Sequence, residues 1–91
     1  LSPLTVDEET RVAMLGDERV ELTAQELALL LTLMENPDLP VSREHLLRKA
    51  WGYQSMGETR TVDVHVQRLR RKLGMNRIET VYRCGYRLKT A

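Results

Sequence analysis

Phenylalanine is absent from this chain of 91 residues, and only one tryptophan and three tyrosines occur, so any core has to be built from leucine, valine and methionine. A single cysteine, Cys84, excludes an internal disulfide and fits a reducing compartment. No apolar run approaches the ~20 residues needed to cross a bilayer. The opening LSPLTVDEET lacks the cationic and then apolar layout of a secretion signal, so the expected location is the cytoplasm. The first residue is leucine in strand-like sequence, which fits a chain cut from something longer.

Chemistry-bearing clusters are missing too. His45 and His65 have no second histidine or cysteine at ligand spacing, so no metal and no cofactor are expected. Cys84 beside Arg83 has no base placed near it by sequence and reads as an inert turn thiol. Asp7, Glu8 and Glu9 fall in a turn without a partner base. No enzymatic activity is expected.

What remains is one small domain with a divided charge. The formal net charge is only +1. Residues 1–40 nevertheless hold two basic side chains against nine acidic ones, a balance of −7, and residues 41–91 hold twelve against four, a balance of +8. The second half has the electrostatic footprint of a nucleic-acid binder.

In order along the chain, residues 1–22 place Leu4, Val6, Val12, Met14, Val20 and Leu22 mostly at alternate positions around Gly16-Asp17, predicting a small antiparallel sheet. Thr23, with Glu26 three residues on, forms a capping box that opens a helix over 23–36, its main stripe Leu27, Leu30, Leu31 and Met34. Leu29 and Leu33 make its other side apolar, as expected of a helix sandwiched in the core. Ser42 caps a second helix over 42–51, stopped by Gly52. A loop over 52–58 leads to a third helix over 59–73, and residues 78–89, with β-branched and aromatic residues around Cys84-Gly85, predict a terminal hairpin.

The third helix carries the functional signal. Val62, Val66, Leu69 and Leu73 lie on one narrow stripe that faces a core. Arg60, Val64, Gln67, Arg68 and Arg71 lie opposite, flanked by Asp63, His65, Arg70 and Lys72. A helix of this width fits the major groove of B-DNA, where guanidinium groups can pair bidentately with guanine and a valine can touch a thymine methyl group, the alternative being a solvated Arg-rich face that binds nothing specific. Tyr82, Arg83 and Arg87 at the hairpin tip form a basic finger able to reach a phosphate or the minor groove of the same duplex.

Six blocks in order, L-T-A-Q-E-L at 22–27, S-R-E-H-L-L at 42–47, W-G-Y at 51–53, R-T-V-D-V-H-V at 60–66, R-L-R-R-K-L at 68–73 and G-Y-R-L at 85–88, resemble the effector domain of OmpR/PhoB-type bacterial response regulators. The resemblance implies an α+β winged helix-turn-helix, with a small N-terminal antiparallel sheet, three helices and a C-terminal hairpin wing. It implies a transcription factor that binds double-stranded DNA at direct repeats through tandem self-association. It also implies a receiver domain absent from these residues, a sensor histidine kinase acting on that receiver, and a contact with RNA polymerase through Tyr53, Gln54, Ser55, Met56, Gly57 and Glu58.

Carried over by position, the resemblance puts DNA contacts on Arg60, Asp63, Val64, His65, Gln67, Arg68, Arg70 and Arg71, with Arg68 reading a base and Arg60, His65 and Arg71 holding phosphates. Gln67 stands where relatives often place arginine, and suits adenine-directed hydrogen bonding. The wing departs from the family's T-V-R-G-x-G-Y, reading T-V-Y-R-C-G-Y at 80–86, with Tyr82 for the arginine and Arg83 for the glycine. Tyr82 and Arg83 become the wing contacts, and moving arginine by one strand position aims it at the other face. A rival reading is a winged-helix protein-interaction module whose basic face meets an acidic partner.

Overall fold

The computed structural model describes residues 2–52 and 58–90. Alternation on either side of Gly16 produces three strands, β1 (Leu4–Asp7), β2 (Val12–Leu15) and β3 (Glu18–Glu21), paired antiparallel in the order β1-β2-β3. Gly16 takes the first of two turn positions with φ 61°, a left-handed conformation that most side chains oppose. Between β1 and β2 the Asp7 carboxylate accepts the backbone N–H groups of Glu9 at 3.0 Å and Thr10 at 3.3 Å, an Asx turn.

One strand is set differently from the sequence expectation. Ala13 pairs with Val6 on one side and Val20 on the other, so β2 turns Ala13 and Leu15 to the core. Val12 and Met14 lie on the opposite face, beside Thr5 and Arg19, where Val12 is buried outside the main core and Met14 is half-buried. The partner strands set this register, and a shift of one residue exchanges the faces whatever the strand's own hydrophobicity.

Thr23 caps α1 (Ala24–Met34) with the capping box complete: Thr23 Oγ1 accepts the Glu26 N–H at 3.2 Å and Glu26 Oε1 accepts the Thr23 N–H at 2.8 Å. Leu29, Leu30 and Leu33 are fully enclosed, whereas Leu31 and Met34 pack at the edge, so the buried stripe is rotated relative to the one read from spacing. Glu26 is also buried, and its Oε1 receives Lys72 Nζ at 2.6 Å. Burial pushes the Glu26 carboxyl up, but the bonds from Lys72 and Thr23 outweigh it and leave the group below the usual glutamate range.

Two residues, β4 (Val41–Ser42), precede α2 (Arg43–Trp51), and Ser42 Oγ accepts the His45 N–H at 3.1 Å as its cap. Helix α3 (Thr59–Leu73) follows, closed by Gly74, and then β5 (Ile78–Val81) and β6 (Gly85–Leu88). The last two strands form the wing, and β4 joins them to make a second antiparallel sheet in the order β4-β6-β5. The three helices and two small sheets form a winged helix-turn-helix.

A two-residue strand carries too little pattern to be seen in sequence, yet it is why position 85 must be glycine. A Cβ built on Gly85 would stand 2.0 Å from the Val41 carbonyl oxygen, so the backbones of β4 and β6 meet only without a side chain there.

Two measurements check this architecture. Gly85→Ala should part β4 from β6 and cost about 1–3 kcal/mol in denaturant unfolding, with the loss greater than for Gly16→Ala in its open turn. Glu26, with its folded pKa depressed, contributes stability above the usual glutamate range that is lost as pH falls through the depressed value. Glu26→Gln should therefore flatten the acid limb of the stability curve, and an unchanged limb would show that another carboxylate governs it.

Candidate nucleic-acid interface

Helix α3 presents one face because the other has nowhere else to go. Val62, Val66 and Leu69 are completely enclosed and Leu73 nearly so, all belonging to the core cluster. That seating turns Arg60, Val64, Gln67, Arg68 and Arg71 outward, and all five are exposed. Val64 stands out as an apolar side chain 50% exposed among cations. His65 is half-buried, its Nδ1 2.9 Å from the Thr61 carbonyl oxygen and its ring edge-on to Trp51 with centroids 4.9 Å apart.

Arg70 departs from the expected outward set. It is buried, donating through Nε to the Ile78 carbonyl at 3.0 Å and through Nη2 to Thr80 Oγ1 at 2.5 Å, with Cζ 5.4 Å from the Tyr86 ring centre. The guanidinium fastens α3 to the wing and is not presented to a ligand. Spacing alone could not reveal this, because Arg70 lies at the boundary between the two faces, where tertiary packing decides which way a long side chain turns.

Asp63 is likewise occupied by protein. Its Oδ1 accepts Arg43 Nε at 3.0 Å and the Tyr86 hydroxyl at 2.6 Å, and Arg43 Nη2 donates to Oδ2. More than a third of each of the two charged side chains stays in solvent, so the ion pair is worth about 0–1 kcal/mol. Its forked geometry nevertheless fixes orientation. The Asp63 bond holds the Arg43 guanidinium even above its ordinary range. Burial first, and then the bond to Asp63, pushes the Tyr86 phenol up to about 12, so it stays neutral and donating at physiological pH.

At the wing tip the Cys84 N–H donates to the Val81 carbonyl at 3.0 Å, closing a turn whose third residue, Arg83, has φ 59°. This is the position at which the expected family motif has glycine. The turn keeps its left-handed residue and imposes the conformation on an arginine. The Arg83 guanidinium folds back to 5.3 Å from the ring of Tyr82, which is 83% exposed. Arg87 is not part of the tip: it is half-buried and paired with Glu79 across the two strands.

A cleft of about 260 Å³ between the wing and the starts of α2 and α3 gathers Arg43, Asp63, Tyr82, Arg83 and Tyr86. Arg43 and Tyr86 were not among the residues expected from sequence. Arg43 carried a signal: a cation at the first position of a helix opposes the macrodipole and calls for an anionic partner. A larger cleft of about 400 Å³ lies between the chain ends, beside Pro3, Met34 and Leu88, and holds none of the expected contacts. Of the loop expected to meet polymerase, Tyr53, Gln54, Ser55, Met56 and Gly57 lie outside the described residues, and Glu58 is exposed at the start of α3. Among the described residues no group of three or more histidine, cysteine or acidic side chains is placed to hold a metal, and no helix is long and apolar enough to cross a membrane.

Residues 17–88 match the family described as transcriptional regulatory protein, C terminal. The transcriptional regulatory protein CseB of Streptomyces avermitilis is 45% identical over 86 residues, covering 94% of this chain and 37% of its own. The chain thus spans about two-fifths of the length of the curated relatives it matches. The DNA-binding domain of Bacillus subtilis CssR superposes with a TM-score of 0.82 at 38% identity, covering 93% of this chain and 98% of that one. The DNA-binding domain of Klebsiella pneumoniae RstA, solved in complex with the RstA box, gives 0.81 at 35% identity, covering 97% and 92%.

Arg83→Gly separates conformation from charge at the tip. Relieving the left-handed strain should raise stability by about 1 kcal/mol, while removing the cation should lower affinity for any duplex and reduce the salt slope by about one. Thermal unfolding and a salt titration read the two effects independently.

Proposed function

Since the chain belongs to the OmpR/PhoB-type response regulators as their C-terminal winged-helix domain, we propose that it binds double-stranded DNA sequence-specifically to control transcription, with α3 in the major groove and the wing at the adjacent minor groove. The observation that carries this reading is the exposed face of Arg60, Val64, Gln67, Arg68 and Arg71 on a helix seated by four buried apolar residues. Arg68, in the middle of that face, reads a guanine edge. Arg60, His65 and Arg71 meet phosphates, Gln67 suits an adenine, and Val64 meets a thymine methyl group. Tyr82 and Arg83 supply the wing contact. Arg70 and Asp63 take supporting roles, because their polar atoms are already committed within the protein.

In the whole protein we infer a receiver domain phosphorylated through a sensor histidine kinase in the cytoplasm. Pairing of receivers raises the effective concentration of a second domain, so that two occupy adjacent direct repeats. The segment from 53 to 58 is the proposed polymerase contact.

Selecting bound duplexes from a random pool, then comparing the selected sequence with a scrambled one, tests the central claim. A steep fall in affinity with salt and a strong preference for the selected duplex are expected. Equal binding to both would favour a protein-interaction module or a nonspecific binder. Arg68→Ala should cost about 1–3 kcal/mol on the selected duplex and relax the preference there; an equal loss on every duplex would demote Arg68 to a phosphate contact.

A further inference from the structure

Helix α3 is joined to the wing at two heights, and the two joints share one residue. Asp63 and Arg70 stand two turns apart on the same side of the helix. Asp63 accepts the Tyr86 hydroxyl at 2.6 Å, and Arg70 lies over the Tyr86 ring at 5.4 Å while bonding Ile78 and Thr80 on the neighbouring strand. Strand β6 is therefore held through Tyr86 and β5 through Arg70. Arg43, the first residue of α2, closes on the same carboxylate with its fork, and Ser42 before it pairs with Gly85 of β6. Helix α2, helix α3 and the wing sheet all converge on Asp63.

Four apolar residues already seat α3, and the hairpin has its own ladder. A partly solvated ion pair adds little to either, but hydrogen bonds are directional and define an angle that apolar packing leaves loosely specified. The angle at stake lies between the helix proposed to read bases and the wing proposed to touch the backbone.

We propose that Asp63 is a positioning residue for DNA recognition: with Arg43 and Tyr86 it locks α3 and the wing into one rigid reading head. The inference rests on the DNA-binding reading above. On a rigid head, once α3 is seated the wing contact forms without further loss of freedom, so its full strength appears in the affinity. With the joint loosened, ordering the wing offsets much of what its contact contributes. The pairing with Arg43 also neutralises a carboxylate that, left free on a phosphate-facing helix, would repel the duplex.

The experiment measures what the wing contributes with the joint intact and with it cut. Tyr86→Phe removes one hydroxyl and keeps the ring beneath Arg70, and Asp63→Ala removes both acceptor oxygens, so either serves if the other fails to fold. Affinity for the selected duplex is read by fluorescence anisotropy with and without Arg83→Ala. In the unsubstituted domain Arg83→Ala should weaken binding roughly fivefold, and in either joint variant less than about twofold. The selected-to-scrambled ratio should fall in the joint variants while circular dichroism stays unchanged. A fivefold cost in all backgrounds, accompanied only by a lower unfolding temperature, would make Asp63 a stabilising residue and overturn the proposal. So would the absence of any Arg83→Ala effect in the intact domain, since there would then be no wing contact to position. Loss of preference in the unsubstituted domain itself would instead remove the DNA reading on which the proposal stands.

Discussion

The removal of Val62, Val66, Leu69 and Leu73 from water governs the molecule. Each fully buried aliphatic side chain contributes about 1.5–3 kcal/mol, and three of these four are completely enclosed. Against that, like charges spaced along a helix cost only a few tenths of a kcal/mol per pair. The apolar stripe therefore wins, and α3 tolerates the crowding of Arg60, Arg68 and Arg71 on its solvent side. The cationic surface is a consequence of how firmly the reverse side is held.

Not every cation serves that surface. Arg70 and Lys72, on the same helix, are committed inward, the first to the wing and the second to the buried carboxylate of Glu26 and the Glu21 carbonyl. Arg77 is buried and donates to the Ser2 carbonyl at 2.5 Å, tying the start of the chain to the turn after α3. A charge count along the second half thus overstates the binding face. Cations here do two jobs, and the long aliphatic stems of arginine and lysine let them cross the edge of the core to reach buried acceptors.

The wing shows how a family pattern is kept in form after its residues change. Arg83 holds the left-handed conformation at which the motif places glycine, so the hairpin still turns. Its guanidinium lies over Tyr82, giving the tip a flat, cationic and aromatic surface in place of an extended arginine. Gly85 survives for a different reason, the approach of the Val41 carbonyl. Two neighbouring glycine positions in one motif thus answer to unrelated constraints, one a backbone angle and the other a backbone contact.

Sequence by itself determined the elements whose signals are local. The capping box at Thr23, the Ser42 cap and the stripe of α3 depend on residues within one or two turns of each other, and their periodicity marks which side of α3 is buried. What needed tertiary structure was every choice made between distant segments. The inward face of β2 depends on the registers with β1 and β3. The pairing of two-residue β4 with the wing leaves no trace in a pattern so short. The turning of Arg70 and Asp63 into the protein depends on Tyr86, Thr80 and Arg43, which chain separation hides. The physical reason is one of range: caps and periodicity act over a few residues and are written in order along the chain, whereas register, close approach and shared hydrogen-bond acceptors exist only once remote backbones have met.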